Sequence, residues 1–210
     1  MKYKCIIFDC DGVLVDSELI SSRVLVELAN SIGAQIDMTF AEINFTGKAF
    51  EDVFNQIEDI AGRKLPDNYE RDYRKRTFEL FEAEIKPIKG IHKLLDALTV
   101  PYCVASNGPR DKMLLNLRIT NLLPNFENRI FSAYDIQRWK PDPELFLHAA
   151  REMGFAPHEC AVVEDSMSGI KAAVSGGFDV FGFAKSYNKT EFENAGATVF
   201  SDMEELIEHL

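Results

Sequence analysis

The sequence has few of the features that mark several large functional classes. It has four cysteines, Cys5, Cys10, Cys103 and Cys160, and none forms a C-x-x-C pair, the spacing of dithiol and zinc sites. Three of them lie in apolar runs, which suits small buried hydrophobes in a reducing compartment. Basic residues are outnumbered, 23 Lys and Arg against 34 Asp and Glu, for a formal net charge of -11. No basic block stands out, which argues against nucleic-acid binding by phosphate neutralisation. A small anionic substrate is still compatible, because a local field can oppose the global charge. No apolar run approaches the length of a membrane span. No secretory leader is expected before Cys5, since "MKYK" runs directly into a short strand broken by Asp9. The expectation is a soluble cytoplasmic protein with neither nucleic-acid nor membrane partners, acting as a monomer.

The chain does have ample material for a core: 46% of its 210 residues are hydrophobic. That length fits one main domain carrying a smaller insertion. "CIIF" at 5–8 reads as a buried strand. From residue 17 the pattern turns helical, with Ile20, Val24, Leu28 and Ile32 four apart. Phe50, Val53, Phe54, Ile57 and Ile60 repeat that spacing, and "PDNYERDYRKRTFELFEAEI" makes a third, more charged helical segment. Beyond Ile85, short apolar runs alternate with helices. "PYCVAS", "RIFSA", "CAVVE", "DVFGF" and "TVF" are strands, and "GIHKLLDAL", "PRDKMLLNLR", "DPELFLHAAREM", "SGIKAAVSGG", "KTEFENAG" and "DMEELIEHL" are helical. This alternation predicts a parallel sheet covered on both faces. The fold class is α/β, with a Rossmann-like core over 1–16 and 86–210 and an all-helical insertion over 17–85.

In such sheets ligands gather at the carboxyl ends of the strands. The first strand ends in Asp9 and Asp11, "PYCVAS" in Ser106 and Asn107, and "CAVVE" in Glu164 and Asp165. Lys140 follows the "RIFSA" strand. Four acids against one lysine cannot be left dry and unpaired. A divalent cation resolves the excess, and hard oxygen donors suit Mg²⁺ with positions left for water and phosphate. Of Asp9 and Asp11, one carboxylate can attack a phosphorus atom while the other handles the leaving-group proton. Ser106 can donate to a phosphoryl oxygen, with Asn107 beside it as a further substrate-binding candidate. Lys140 can neutralise charge on the phosphoryl group, and Glu164 and Asp165 can secure the metal.

Each residue also has a plainer use. Asp165 suits the cap of the following helix, and Asp16 suits the lead-in to the first inserted helix. Trp139 reads as a packing residue beside the site, and none of the four histidines is given a role. Lys48, in "TGKAFED", is a candidate contact to the part of the substrate distal to the phosphate. It reads equally well as an exposed lysine in a helix–helix turn.

The pieces "FDCDGVLVDS", "ASNGP", "KPDPELF" and "VVEDSMSGIKAA" together resemble the haloacid dehalogenase superfamily of phosphotransferases, and they cover nearly the whole α/β part. The resemblance implies a helical cap inserted after the first strand. It implies Asp9 as a nucleophile forming an aspartyl-phosphate, and Asp11 as general acid and base. Mg²⁺ would be held by Asp9, the backbone carbonyl of Asp11 and Asp165, with Glu164 as a direct or water-mediated ligand. Ser106 and Lys140 match the phosphate-binding positions. "SNGPRDKM" and "YDIQRWKPDP" look like bacterial sugar-phosphate phosphatases of the 6-phosphogluconate type. The expected activity is Mg²⁺-dependent hydrolysis of a small phosphorylated metabolite. The alternatives are a phosphoglucomutase-like isomerase and a non-catalytic phosphometabolite-binding protein. A dehalogenase is disfavoured, because relatives with that chemistry lack the acid at Asp11. A phosphonate hydrolase would need a cap lysine such as Lys48 as its Schiff-base former.

Overall fold

The run Cys5–Phe8 is buried at every residue and forms the first strand, β1. A strand apolar on both faces belongs in the middle of a sheet covered by helices on both sides. The computed structural model, which describes residues 2–45, 50–184 and 188–210, shows that arrangement. β1 is flanked by β2 (Tyr102–Ser106) and β4 (Cys160–Glu164). β3 (Ile130–Ser132) lies outside β2, and β5 (Asp179–Phe183) and β6 (Thr198–Phe200) continue beyond β4. Among the described residues the sheet has six strands in the order β3-β2-β1-β4-β5-β6, and every pairing is parallel. The chain runs outward from β1 in one direction, then returns to β4 on its other side. The sheet therefore has its switch point between β1 and β4, where α/β proteins open a crevice at the carboxyl ends.

Register fixes what meets at that crevice. Phe8 pairs with Val163, and the Asp9 N–H donates to the Val163 carbonyl at 2.9 Å. Asp9 is thus level with the end of β4, next to Glu164. On the other side Phe8 pairs with Val104, which places Ser106 two residues further along β2.

The chain divides into two compact units, residues 1–16 with 86–210, and residues 17–85. In the sheet-bearing unit, Cys5, Ile7, Ala105, Val162, Leu145, Phe146 and Ile170 share one buried cluster. Ring contacts among Phe8, Tyr102 and Phe126 fill another part of that unit. Helix Glu144–Met153 buries Leu145, Phe146, Ala149 and Ala150 as one stripe. Full burial of Leu145 or Phe146 stabilises by about 1.5–3 kcal/mol each. Asp142 Oδ1 accepts from the Glu144 N–H at 2.9 Å and starts this helix, and Gly154, in the left-handed region, ends it. The four cysteines are free and buried, and burial pushes the Cys10 thiol well up.

The unit of residues 17–85 is helical among the described residues. Glu18–Ser31, Phe50–Ala61 and Tyr69–Glu84 match the three segments expected, and a fourth helix, Met38–Phe45, was not expected. Its apolar residues fall on all sides, with Ala41 and Phe45 buried but Ile43 75% exposed, so no stripe at helical spacing marks it. Val24, Leu25, Ala41, Phe45, Val53, Ile57 and Tyr73 form this unit's own core. No helix among the described residues is long and apolar enough to cross a membrane.

Candidate active site

Four loops at the carboxyl ends of β1, β2, β3 and β4 bring the candidate residues of the sheet-bearing unit together. After β1 the chain turns sharply. The Gly12 N–H donates to the Val15 carbonyl at 2.8 Å, and the N–H groups of Leu14 and Val15 both donate to the Cys10 carbonyl. Gly12 takes φ +80°, and a Cβ there would overlap the Asp165 carboxylate. Only glycine permits both the turn and that approach. The first acidic loop and the end of β4 therefore meet at residue 12.

Lys140 is the hub. It lies after β3, in a loop whose Lys140–Pro141 peptide is cis. Its Nζ donates to Asp9 Oδ1 and, at 2.6 Å, to Glu164 Oε1, and it stands 4.6 Å from the centre of the Phe146 ring. The Lys140 and Glu164 side chains are 2% and 1% exposed, so the pair is dry. Burial opposes the charge on Lys140, yet Asp9 and Glu164 hold its ammonium above the ordinary lysine range. Two carboxylates share one ammonium, and burial pushes Asp9 up to about 7 against the pull of Lys140.

Glu164 turns under the next helix, Met167–Ser175. Its Oε2 accepts from the Ser166 N–H at 2.7 Å and from Ser166 Oγ at 2.9 Å. Ser166 Oγ in turn accepts from the Gly169 N–H and caps the helix. A Cβ at Gly169 would overlap the Glu164 carboxylate. Both oxygens of Glu164 are thus engaged by Lys140 and Ser166.

Ser106 is buried, and its Oγ accepts from the Gly108 N–H at 3.0 Å. Ser132 Oγ donates to the Gly108 carbonyl at 2.7 Å and fixes the same loop from β3. Asn107 is turned onto the main chain of Lys140. Its Oδ1 accepts from the Lys140 N–H at 2.9 Å, and its Nδ2 donates to the Lys140 carbonyl at 3.4 Å. Trp139 is partly exposed and packs edge-on against Tyr134. Lys48 lies outside the described residues.

One site residue escaped the sequence reading. Lys112, in helix Arg110–Ile119, contacts both carboxylate oxygens of Asp11 at 2.9 Å. The motif "SNGPRDKM" held the signal, but a lysine in the first turns of a helix usually reads as solvated.

Among the described residues no three acidic, histidine or cysteine side chains form a cation cage unaided. The loops offer fewer but suitable donors, the oxygens of the Asp9 carboxylate and of the Asp165 carboxylate against Gly12. All are hard oxygens, and Mg²⁺ is ordinarily held by one or two carboxylates while keeping several waters. The buried negative excess around Asp9 suits a cation as well. The residues present fit the ion in donor chemistry and charge.

Comparison with known proteins shows the family and the fold. A family model described as haloacid dehalogenase-like hydrolase matches residues 3–177. The 6-phosphogluconate phosphatase of Escherichia coli (strain K12) is 36% identical over 208 residues, covering 99% of this chain and 94% of that protein. Among solved structures, a conserved haloacid dehalogenase-like protein of unknown function from Agrobacterium tumefaciens superposes with a TM-score of 0.90. It is 35% identical, with 99% of this chain and 97% of that chain covered. A haloacid dehalogenase family hydrolase from Deinococcus radiodurans, with bound phosphate and sodium, gives 0.83 at 27% identity, covering 98% of this chain and 93% of that one.

Proposed function

The chain belongs to the haloacid dehalogenase-like hydrolases, and from that premise we propose that it is a phosphatase for a small phosphorylated sugar or sugar acid, 6-phosphogluconate among the candidates. One observation carries the reading: Asp9 stands at the sheet's switch point on the buried ammonium of Lys140, with Asp11 two residues on. Lys140 engages Asp9 through Oδ1, and Oδ2 is the oxygen assigned to attack phosphorus. As the Oδ2–P bond forms, the ester P–O bond breaks, and Asp11 gives its proton to the departing alcohol oxygen. Asp11 then takes a proton from water as that water attacks phosphorus. The Asp9–phosphorus bond breaks, inorganic phosphate leaves, and Asp9 is regenerated.

Ser106 Oγ and the main-chain N–H groups of its loop are the donors assigned to the phosphoryl oxygens. Lys140 opposes the charge gathered around Asp9, and Glu164 and Asn107 keep Lys140 in place. Mg²⁺ would be held by Asp9, Asp165 and the Asp11 carbonyl, where it supplies positive charge beside the phosphoryl oxygens. Glu164, with both oxygens engaged elsewhere, is assigned to Lys140 rather than to the ion.

Purified protein is to be tested for phosphate release from 6-phosphogluconate and hexose phosphates, with Mg²⁺ and with chelator. Release that needs the metal and vanishes in Asp9→Asn is expected. Metal-independent release, full activity in Asp9→Asn, or conversion of a hexose 1-phosphate to the 6-phosphate without phosphate release would each contradict the proposal.

A further inference from the structure

Asp11 sits at the rim of the site, 24% exposed at the side chain, on a turn whose backbone is tied from Cys10 to Val15. The backbone fixes where the side chain starts but not which way its carboxylate faces. Two side-chain torsions set that, and a rim carboxylate in water samples several rotamers. Lys112 removes the freedom. Its Nζ lies 2.9 Å from Oδ1 and 2.9 Å from Oδ2, so one ammonium draws the ionised carboxylate to a single direction, and when one oxygen carries the proton the other keeps the contact.

Lys112 is itself well held. Its side chain is only 20% exposed, and its main-chain N–H donates to Asp111 Oδ1 at 2.8 Å. Its stem passes Gly108, where a Cβ would lie 3.6 Å from Lys112 Cδ, 3.6 Å from Asp11 Oδ2 and 3.4 Å from Ser106 Oγ. The lysine, the acid of the first loop and the hydroxyl of the second thus surround one glycine. The contact joins residues 101 positions apart, so it is a product of the fold and not of local sequence.

We propose that Lys112 is a positioning residue for Asp11: it orients the carboxylate that exchanges protons with the leaving oxygen and then with water. The assignment rests on the phosphatase reading above. In this assignment Lys112 works through Asp11 and not on phosphorus or the leaving group, which makes two signatures necessary. The first concerns the leaving group. A misdirected acid harms esters whose departing oxygen needs a proton, such as alkyl and sugar phosphates. It spares 4-nitrophenyl phosphate, whose phenolate leaves unaided. The second is non-additivity, because a residue that works through Asp11 has nothing left to do once Asp11 is neutralised.

The test is kcat/KM, which reports the steps through departure of the alcohol, for wild type, Lys112→Met, Lys112→Arg, Asp11→Asn and the Lys112→Met/Asp11→Asn double variant. Each is assayed with a sugar phosphate and with 4-nitrophenyl phosphate. Lys112→Met is expected to lose roughly ten- to a hundredfold on the sugar phosphate, less than the roughly 10²–10⁴-fold of complete proton-transfer catalysis because Asp11 is still present, and less than about threefold on the aryl ester. Lys112→Arg recovers most of the loss. In the Asp11→Asn background, Lys112→Met is expected to cost less than about twofold on the sugar phosphate, the non-additivity of residues that act as one unit. Equal losses on both esters, or the same loss in both backgrounds, would overturn the assignment and leave the phosphatase reading standing. Absence of phosphate release by wild type from any ester would instead overturn that reading, and the assignment with it. Thermal melts of each variant separate misfolding from misorientation.

Discussion

Asn107 holds the main chain of Lys140 at both polar atoms, accepting from its N–H at 2.9 Å and donating to its carbonyl at 3.4 Å. A side chain in the position expected for a substrate contact thus serves the lysine that anchors Asp9. In Asn107→Ala the Lys140 N–H loses its partner, at a cost of about 1–3 kcal/mol if it stays dry. The expected outcome is a lower melting temperature and a reduced kcat with KM changed less than about threefold, since no substrate contact is lost. A rise in KM with kcat and melting temperature unchanged would mean that Asn107 serves the substrate directly.

Removal of the hub itself is more severe. Lys140→Met leaves Asp9 and Glu164 buried without their shared cation, and breaking a buried ion pair from one side costs about 3–5 kcal/mol. Denaturant unfolding is expected to show that loss, and phosphate release is expected to disappear. A variant as stable as wild type would contradict a dry, bridging Lys140.

Gly12 and Gly154 make a matched pair for separating strain from function. Both have φ near +80°, but a Cβ overlaps the Asp165 carboxylate at Gly12 and meets nothing within 4 Å at Gly154. Each alanine variant is expected to lose about 1–3 kcal/mol from backbone strain. Gly12→Ala also displaces Asp165, and misplacement of that kind costs on the order of a hundredfold in rate. Gly154→Ala should retain kcat/KM. Equal kinetic effects in the two would remove Asp165 from the site.

The pH dependence has a definite sign. Burial raises Asp9 to about 7 in the folded protein, whereas in the unfolded chain it titrates near the ordinary carboxylate value. Between those values the folded state keeps a proton that the unfolded state has lost. Stability from this group is therefore full below about pH 4, falls as pH rises, and is gone above about pH 7. Paired acids such as Asp179 and Glu159, held below their ordinary values by hydrogen bonds from Lys2 and Lys4, contribute in the opposite sense. The comparison with Asp9→Asn isolates the effect. Without metal, the stability of Asp9→Asn relative to wild type is expected to grow from pH 4 to 7, by at most about 1.4 kcal/mol per unit, then level off. A difference independent of pH would contradict a raised Asp9.

The strands were legible because each is a short apolar run, and all but Asp179–Phe183 end in or run into a polar residue. "CIIF" before Asp9 and "CAVV" before Glu164 are the clearest, and both are buried throughout. Their alternation with helices implied the parallel sheet that the register shows. Helix Met38–Phe45 escaped because its apolar residues do not gather on one face. The partners that Asn107, Glu164 and Lys112 take in the fold escaped for a different reason. Sequence marks which residues sit at a strand end, but partners are chosen by how neighbouring loops turn toward each other. Glu164 and Asp165 are adjacent in the chain, yet Glu164 turns to Lys140 and Ser166 while Asp165 lies against Gly12.

The most direct test of the whole account is whether phosphorus becomes bonded to Asp9. Protein mixed with a sugar phosphate and Mg²⁺ is quenched in acid within the first turnovers, digested, and weighed by mass spectrometry. The prediction is one added phosphoryl group on the peptide carrying Asp9 in wild type and none in Asp9→Asn. A phosphoryl group on another residue, or active enzyme that turns over substrate with no modified peptide at any quench time, would contradict it.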